Sequence, residues 1–269
     1  MRNLHKAYYK DYFKNLNFGY LLNNGVEPKT EIKRRNGELT APNLLQRIPK
    51  SSIVNQTIEL QISYPGLVTG IGINHEATIE GEFKLGVHFD WTYGMPIVYG
   101  SSVKGVLRAF FLDFYKGDID HGDLMMNIFS GVYNRDIKAE KKKYGDNWEK
   151  IIKDPEKRIY KDCLSIYNRD IFFDAIITNA DSKGRILCSD SITFHPDPLK
   201  NPNPITFLKI ASGCTLEFRF KLEDSVVDGK PFKKEDKIKL FKEILTTVGV
   251  GAKTNVGYGQ LKSVDKQTK

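Results

Sequence analysis

Two stretches of the chain carry unbroken helical periodicity. Val103, Val106, Leu107, Phe110, Phe111 and Phe114 recur at steps that line one side of an α-helix. Ser101 and Ser102 stand before that run as N-cap candidates. Lys104 and Arg108 fall off the apolar face, toward solvent or a ligand. Residues 234–248 repeat the pattern with Ile238, Phe241, Leu245 and Val248. Leu4, Tyr8, Tyr12 and Leu16 predict a third helix within residues 1–22. Residues 23–50 are polar and interrupted by proline, which predicts a loop with a short helix near Pro42–Arg47.

Elsewhere the period is two. Ile58, Leu60, Ile62 and Tyr64 alternate with polar residues, as do Phe83, Leu85, Val87, Phe89 and Trp91. Phe172–Ile177 predicts a compact strand. Thr215–Leu222 places Leu216, Phe218, Phe220 and Leu222 on one side, and Gln260–Val264 closes the series. This order predicts an α+β chain with an antiparallel sheet, of ferredoxin-like or RRM-like architecture. Alternation also predicts one buried and one open sheet face, and an open face in such folds is a frequent RNA platform. Residues 1–50 read as a basic N-terminal helical extension. Residues 51–269 read as one domain with a lysine-rich surface insertion at about 131–165.

Composition narrows the function classes. Among 269 residues, 40% are hydrophobic and 28% charged, with 16 Phe and 13 Tyr, so global disorder is excluded. No apolar run is long enough to cross a membrane, and the first residues lack the apolar core of a secretory signal. Cys163, Cys188 and Cys214 are an odd number without metal-ligand spacing, which argues against a disulfide framework or a zinc site and for the cytoplasm. No metal or cofactor is expected. The net charge is +8, and it is uneven: residues 1–50 and 229–269 each carry 10 basic and 4 acidic residues, while the middle is net acidic. Basic ends suit a polyanion, although a solvated lysine surface would look the same.

Two glycine-bearing motifs carry the chemistry. The first is Gly249-Val-Gly251-Ala-Lys253-Thr254-Asn255-Val-Gly257-Tyr258-Gly259. Its glycines permit positive φ, its amides could form an anion nest, and Lys253, Thr254 and Asn255 add a cation and two donors. The spacing matches neither a Walker A loop nor a dinucleotide fingerprint. A helix C-cap followed by a tight turn would use the same glycines; Lys-Thr-Asn within them favours phosphate. The second motif, Tyr93 to Arg108, sets Ser101 and Ser102 at a helix start between Lys104 and Arg108, an arrangement suited to an anion.

With Tyr64-Pro-Gly-Leu-Val-Thr-Gly-Ile-Gly72 and Ile171-Phe-Phe-Asp-Ala175, these motifs resemble, in this order, the RAMP superfamily of CRISPR-associated proteins. The resemblance runs from about Ile58 to Leu261. It is nearest to the sixth-subunit family of Cmr-type (type III-B) RNA-guided effector complexes, on residues 69–76 and 189–199. It implies a non-catalytic ribonucleoprotein subunit in antiviral defence. Such a subunit holds the guide CRISPR RNA backbone toward its 3′ end, helps hold the guide–target duplex, and has the target RNA and other Cmr-type subunits as partners. Ser101, Ser102, Lys104 and Arg108 map onto the superfamily's GSS-x-KG-x-x-R motif and Lys253 and Thr254 onto its glycine-rich RNA-contacting loop; Gly249, Gly251, Asn255 and Tyr258 are expected to bind RNA with them.

A metal-independent repeat-cleaving endoribonuclease of the same superfamily is the alternative, and it would need a histidine base with a hydrogen-bonded partner. Of His5, His75, His88, His121 and His195, only His75 sits beside a glycine-rich loop where RNA could pass. His88 is expected to be simply exposed, on the polar side of its strand. The acidic turn at 117–123 reads as solvated rather than metal-binding.

Overall fold

The computed structural model describes residues 3–16, 28–70, 79–84, 86–131, 164–194, 203–227 and 229–264. Residues 132–163 of the expected insertion, and His75 and His195, lie outside them. The described strands are β1 (Gln56–Ile62), β2 (His88–Phe89), β3 (Pro96–Val98), β4 (Ile171–Phe172), β5 (Ala175–Asn179), β6 (Leu187–Phe194), β7 (Asn203–Ile210), β8 (Thr215–Lys221), β9 (Ser225–Val227), β10 (Lys230–Phe232) and β11 (Leu261–Ser263). The helices are α1 (Leu4–Tyr9), α2 (Pro28–Leu39), α3 (Gly100–Phe114), α4 (His121–Ser130) and α5 (Lys234–Val248).

The main sheet has the order β11-β1-β8-β5-β3-β2, with β4 also paired to β8, and its strand pairs are antiparallel. The expected α+β class with an antiparallel sheet is what the chain forms. Opposite Ile58 lies Phe218, and opposite Leu60 lies Leu216. These side chains face α3 and α5, whose Val103, Leu107, Phe111, Phe241, Ile244 and Leu245 are fully buried against them. Each such side chain contributes about 1.5–3 kcal/mol by leaving water. Phe172, Phe220 and Phe241 meet in one aromatic knot, with ring centroids 5.7–5.9 Å apart. Beside it, Lys237 Nζ donates to Asp170 Oδ2 at 2.6 Å and to the Glu223 carbonyl at 2.6 Å. Both side chains of that ion pair are almost fully buried, at 1% and 2% exposure. Burial pushes the Lys237 ammonium down and the Asp170 carboxyl up from their ordinary values.

Several expectations need correction. Pro42–Arg47 is not helical; the helix in that region is α2, further upstream. Its only buried side chains are Ile32 and Leu39, too few to write a period into the sequence. Proline at its first position and a Glu31 carboxylate shared by Arg34 (2.6 Å) and Arg35 (2.7 Å) support it instead. The N-terminal helix stops at Tyr9, though Leu4, Tyr8, Tyr12 and Leu16 all bury in the common core. Of the strand expected over 83–91, Leu85 lies outside the described residues; among those described only His88–Phe89 pair as a strand, and Trp91 turns out into solvent. The run at 172–177 breaks into β4 and β5 because Asp174 turns aside to bind Gly100.

The sheet's second face is not fully open. Arg219 projects from β8 on that side, donating to Glu217 (2.5 Å) and to the carbonyls of Pro49 (2.8 Å) and Ile48 (3.2 Å). The backbone at 48–49 therefore lies against it, and Ile97 and Ile176 are buried in the neighbouring row. Only toward β1 and β11 does the face stay exposed, at Glu59 and Lys262. The β6–β7 hairpin, paired over its whole length, and α4 were not foreseen. The acidic turn at 117–123 opens α4: Asp120 accepts the Asp123 amide at 2.9 Å, and Asp118 pairs with Lys230 at 2.7 Å. Among the described residues no cluster of His, Cys, Asp and Glu could hold a metal ion.

Candidate nucleic-acid interface

The first motif sits where β3 passes into α3. Gly100 packs onto the backbone of Phe172 and Phe173 so closely that a Cβ there would strike the Phe172 carbonyl. Its amide donates to Asp174 Oδ1 at 2.7 Å. A carboxylate thus already occupies the helix start, and neither serine caps it: the N-cap position is Tyr99, without a side-chain bond. Both capping expectations are overturned, and the anion cradle of free amides is partly taken up by Asp174. Ser101, Ser102 and Arg108 are exposed, and Lys104 is half-buried with its Nζ 6.0 Å from the Phe172 ring centre.

The second motif leaves α5 and folds back on itself. Gly249, Gly251, Gly257 and Gly259 all take positive φ. At Gly251 (φ 90°) a Cβ would lie 2.5 Å from the Val68 carbonyl, so only glycine fits. Val250 donates to Gly259, Ala252 to Val68 at 2.7 Å, Tyr258 to Lys253, and Gly259 to Gly66 at 2.8 Å. Most loop amides are therefore spent inside the fold rather than forming a nest. The amides of Lys253, Thr254 and Asn255 stand outside these bonds, at the start of a single 3₁₀ turn, Thr254–Val256. Lys253 itself has φ 62° and ψ 31°, the left-handed conformation that a lysine rarely adopts. Among the described residues no carboxylate pairs with its ammonium.

A support that sequence reasoning missed lies beneath the loop. Tyr258 is buried; its hydroxyl donates to Asp190 Oδ2 at 2.8 Å, and Lys209 Nζ reaches the same oxygen at 2.5 Å. Burial works against the charge on Asp190, but hydrogen bonds from Lys209, Tyr258 and the Ser191 amide outweigh it and hold the carboxyl below its usual range. Burial, then the Asp190 bond, push the Tyr258 phenol up to about 12. Phe207 packs edge-on against Tyr258 at 5.8 Å. Asp190 and Lys209 belong to β6 and β7, whose broken alternation hid the hairpin.

A family model, the RAMP superfamily, matches residues 59–262. The chain belongs to the RAMP superfamily. Both glycine motifs lie inside the matched span. No curated protein matches the chain. Solved structures that resemble it include a type III-B Cmr-beta bound to cognate target RNA, at 21% identity and a TM-score of 0.42, over 77% of this chain and 57% of that one. Cmr6 from Pyrococcus furiosus is another, at 21% identity and a TM-score of 0.35, over 78% of this chain and 97% of that one.

In this RAMP chain the two motifs are linked through residues 66–70. Val68 bridges to Ala252, and Thr69 Oγ1 accepts the His88 amide at 2.7 Å. The His88 ring stacks on Tyr99 at 4.3 Å, just before Gly100. His88 is thus half-buried rather than simply exposed, and burial lowers its pKa. His121 contacts the Gly117 carbonyl, and His5 stacks on Trp91; neither lies beside the glycine loop. No helix among the described residues is long and apolar enough to cross a membrane.

Proposed function

We propose that the chain is a non-catalytic, guide-RNA-binding subunit of a type III-B CRISPR effector ribonucleoprotein. It would contact the guide backbone toward its 3′ end and help hold the guide–target duplex. Its partners would be the guide CRISPR RNA, target RNA and other Cmr-type subunits. On this reading residues 51–269 form a ferredoxin-like RAMP domain, with 1–50 as its extension. The carrying observation is Lys253, a cation without a carboxylate partner among the described residues, held in a strained backbone conformation among glycines. Thr254 and Asn255 beside it suit phosphate oxygens, and Ser101, Ser102, Lys104 and Arg108 would extend the same strand's path. On this reading Gly249, Gly251 and Tyr258 belong to the same RNA-binding loop: Gly249 and Tyr258 are buried and shape it from within, and Gly251 is exposed. Phosphate contacts give affinity without sequence readout, which suits a subunit whose guide changes.

The test is a tagged pull-down from native cells with protein and RNA both sequenced, followed by incubation of the purified chain with repeat RNA in chelator. Recovery of related subunits with one population of repeat-derived RNAs, and no cleavage, supports the proposal. Recovery without RNA, or specific cleavage abolished by His75→Ala, overturns it.

A further inference from the structure

We propose that Tyr64 is a stacking platform for an unpaired base of the RNA strand whose phosphates the Lys253 loop holds; this rests on the RNA-binding reading above. Ile58, Leu60 and Ile62 point inward along β1, and Tyr64 is the next position in that alternation. It does not follow them. Gly66 donates to the Ser63 carbonyl at 3.0 Å, the chain reverses, and the ring is left 87% exposed. A large aromatic with so little packing does nothing for the core.

Its setting is firm and specific. Ser63 donates to Gln260 (2.9 Å), Gly259 donates to Gly66 (2.8 Å) and Leu67 donates to Ile210 (3.0 Å). The turn is thereby tied to the glycine loop on one side and to β7 on the other. Pro65 Cδ lies 3.7 Å from where a Cβ on Gly257 would sit, which brings the residue after Tyr64 close to the end of the Thr254–Val256 turn. Val256 in that turn is also exposed. An exposed ring on a turn tied to a loop that carries a cation and side-chain donors supplies the parts with which proteins hold single-stranded RNA. The ring takes the base face, Lys253 the phosphate. A ring mounted on hydrogen-bonded backbone loses little freedom on binding. Stacking accepts any base, so it adds affinity without restricting the guide.

The experiment uses the full chain and a single-stranded RNA carrying a fluorescent adenine analogue at successive positions. Wild type and Tyr64→Phe are expected to quench the probe at one position. Tyr64→Leu should lose that quenching and bind roughly tenfold more weakly, with an unchanged dependence on salt. Removing the base at that position should weaken wild type but not Tyr64→Leu. Lys253→Ala should do the reverse: a shallower salt dependence, with quenching kept at saturation. Equal affinity and quenching in Tyr64→Leu overturn the inference while the RNA reading stands. Absence of salt-dependent binding by wild type overturns both. In the tagged pull-down, loss of a protein neighbour from Tyr64→Leu complexes, with RNA binding intact, assigns the ring to protein docking and overturns the inference.

Discussion

Replacing Lys253 with glycine should separate folding from binding, in opposite directions. Lys253 sits at φ 62°, ψ 31°, between Gly251 at φ 90° and Gly257 at φ 94°. A non-glycine residue there costs about 1–2 kcal/mol, and glycine removes that cost. Glycine also loses more entropy on folding, about 0.5–1 kcal/mol. The net is a stabilisation of about 0–1.5 kcal/mol, a rise of up to roughly 3 °C in Tm for a chain of this size. RNA affinity should fall. The slope of log K against log salt should become shallower by about 0.7–0.9, the share of one phosphate contact. Denaturant melts and fluorescence anisotropy at stepped salt read both quantities on one preparation. Lys253→Gly that unfolds more easily would mean the side chain supports the fold, and an unchanged slope would mean that it meets no phosphate. Either result refutes the reasoning.

Two further outcomes concern the scaffold. Asp170→Asn leaves Lys237 buried without its counter-charge, and should cost about 3–5 kcal/mol in urea melts; joint replacement with Lys237→Met should recover much of it. Burial pushes the Cys214 thiol up to about 12, so it keeps its proton in the fold while an unfolded thiol loses it near pH 9. The unfolded state then binds fewer protons, and stability should fall between pH 9 and 12 by about 1.4 kcal/mol per unit from this group, a slope that Cys214→Ala flattens.

The elements legible in the sequence were those whose burial is one-sided and sustained. For α3, α5 and β8 the spacing of Val103–Phe114, Ile238–Val248 and Leu216–Leu222 carried the assignment to within a residue or so, while β1 begins at Gln56 and ends at Ile62, short of the expected Tyr64. What failed was decided by distant contacts. In the strand expected at 83–91, Phe83 and Phe89 pack against Tyr8, Tyr9 and Tyr12, and pairing reaches only His88–Phe89 among its described residues. The glycine loop was recognisable from its composition, and Lys253 with it. That its amides would be spent on Gly66 and Val68 was not, because those partners lie nearly two hundred residues away.

That distance has a consequence for synthesis. The cradle exists only when residues 63–68 meet residues 249–260, through Ser63–Gln260, Val68–Ala252 and Gly66–Gly259. A nascent chain carrying α3 and its two serines has no partner for the carbonyl of Val68 until Ala252 has cleared the ribosome, nor for the carbonyl of Gly66 and the amide of Ser63 until Gly259 and Gln260 have. Whatever the loop grips is therefore gripped late. A truncated product of translation would display the Tyr64 turn without the glycine loop beside it, so the fold itself withholds the site from incomplete chains.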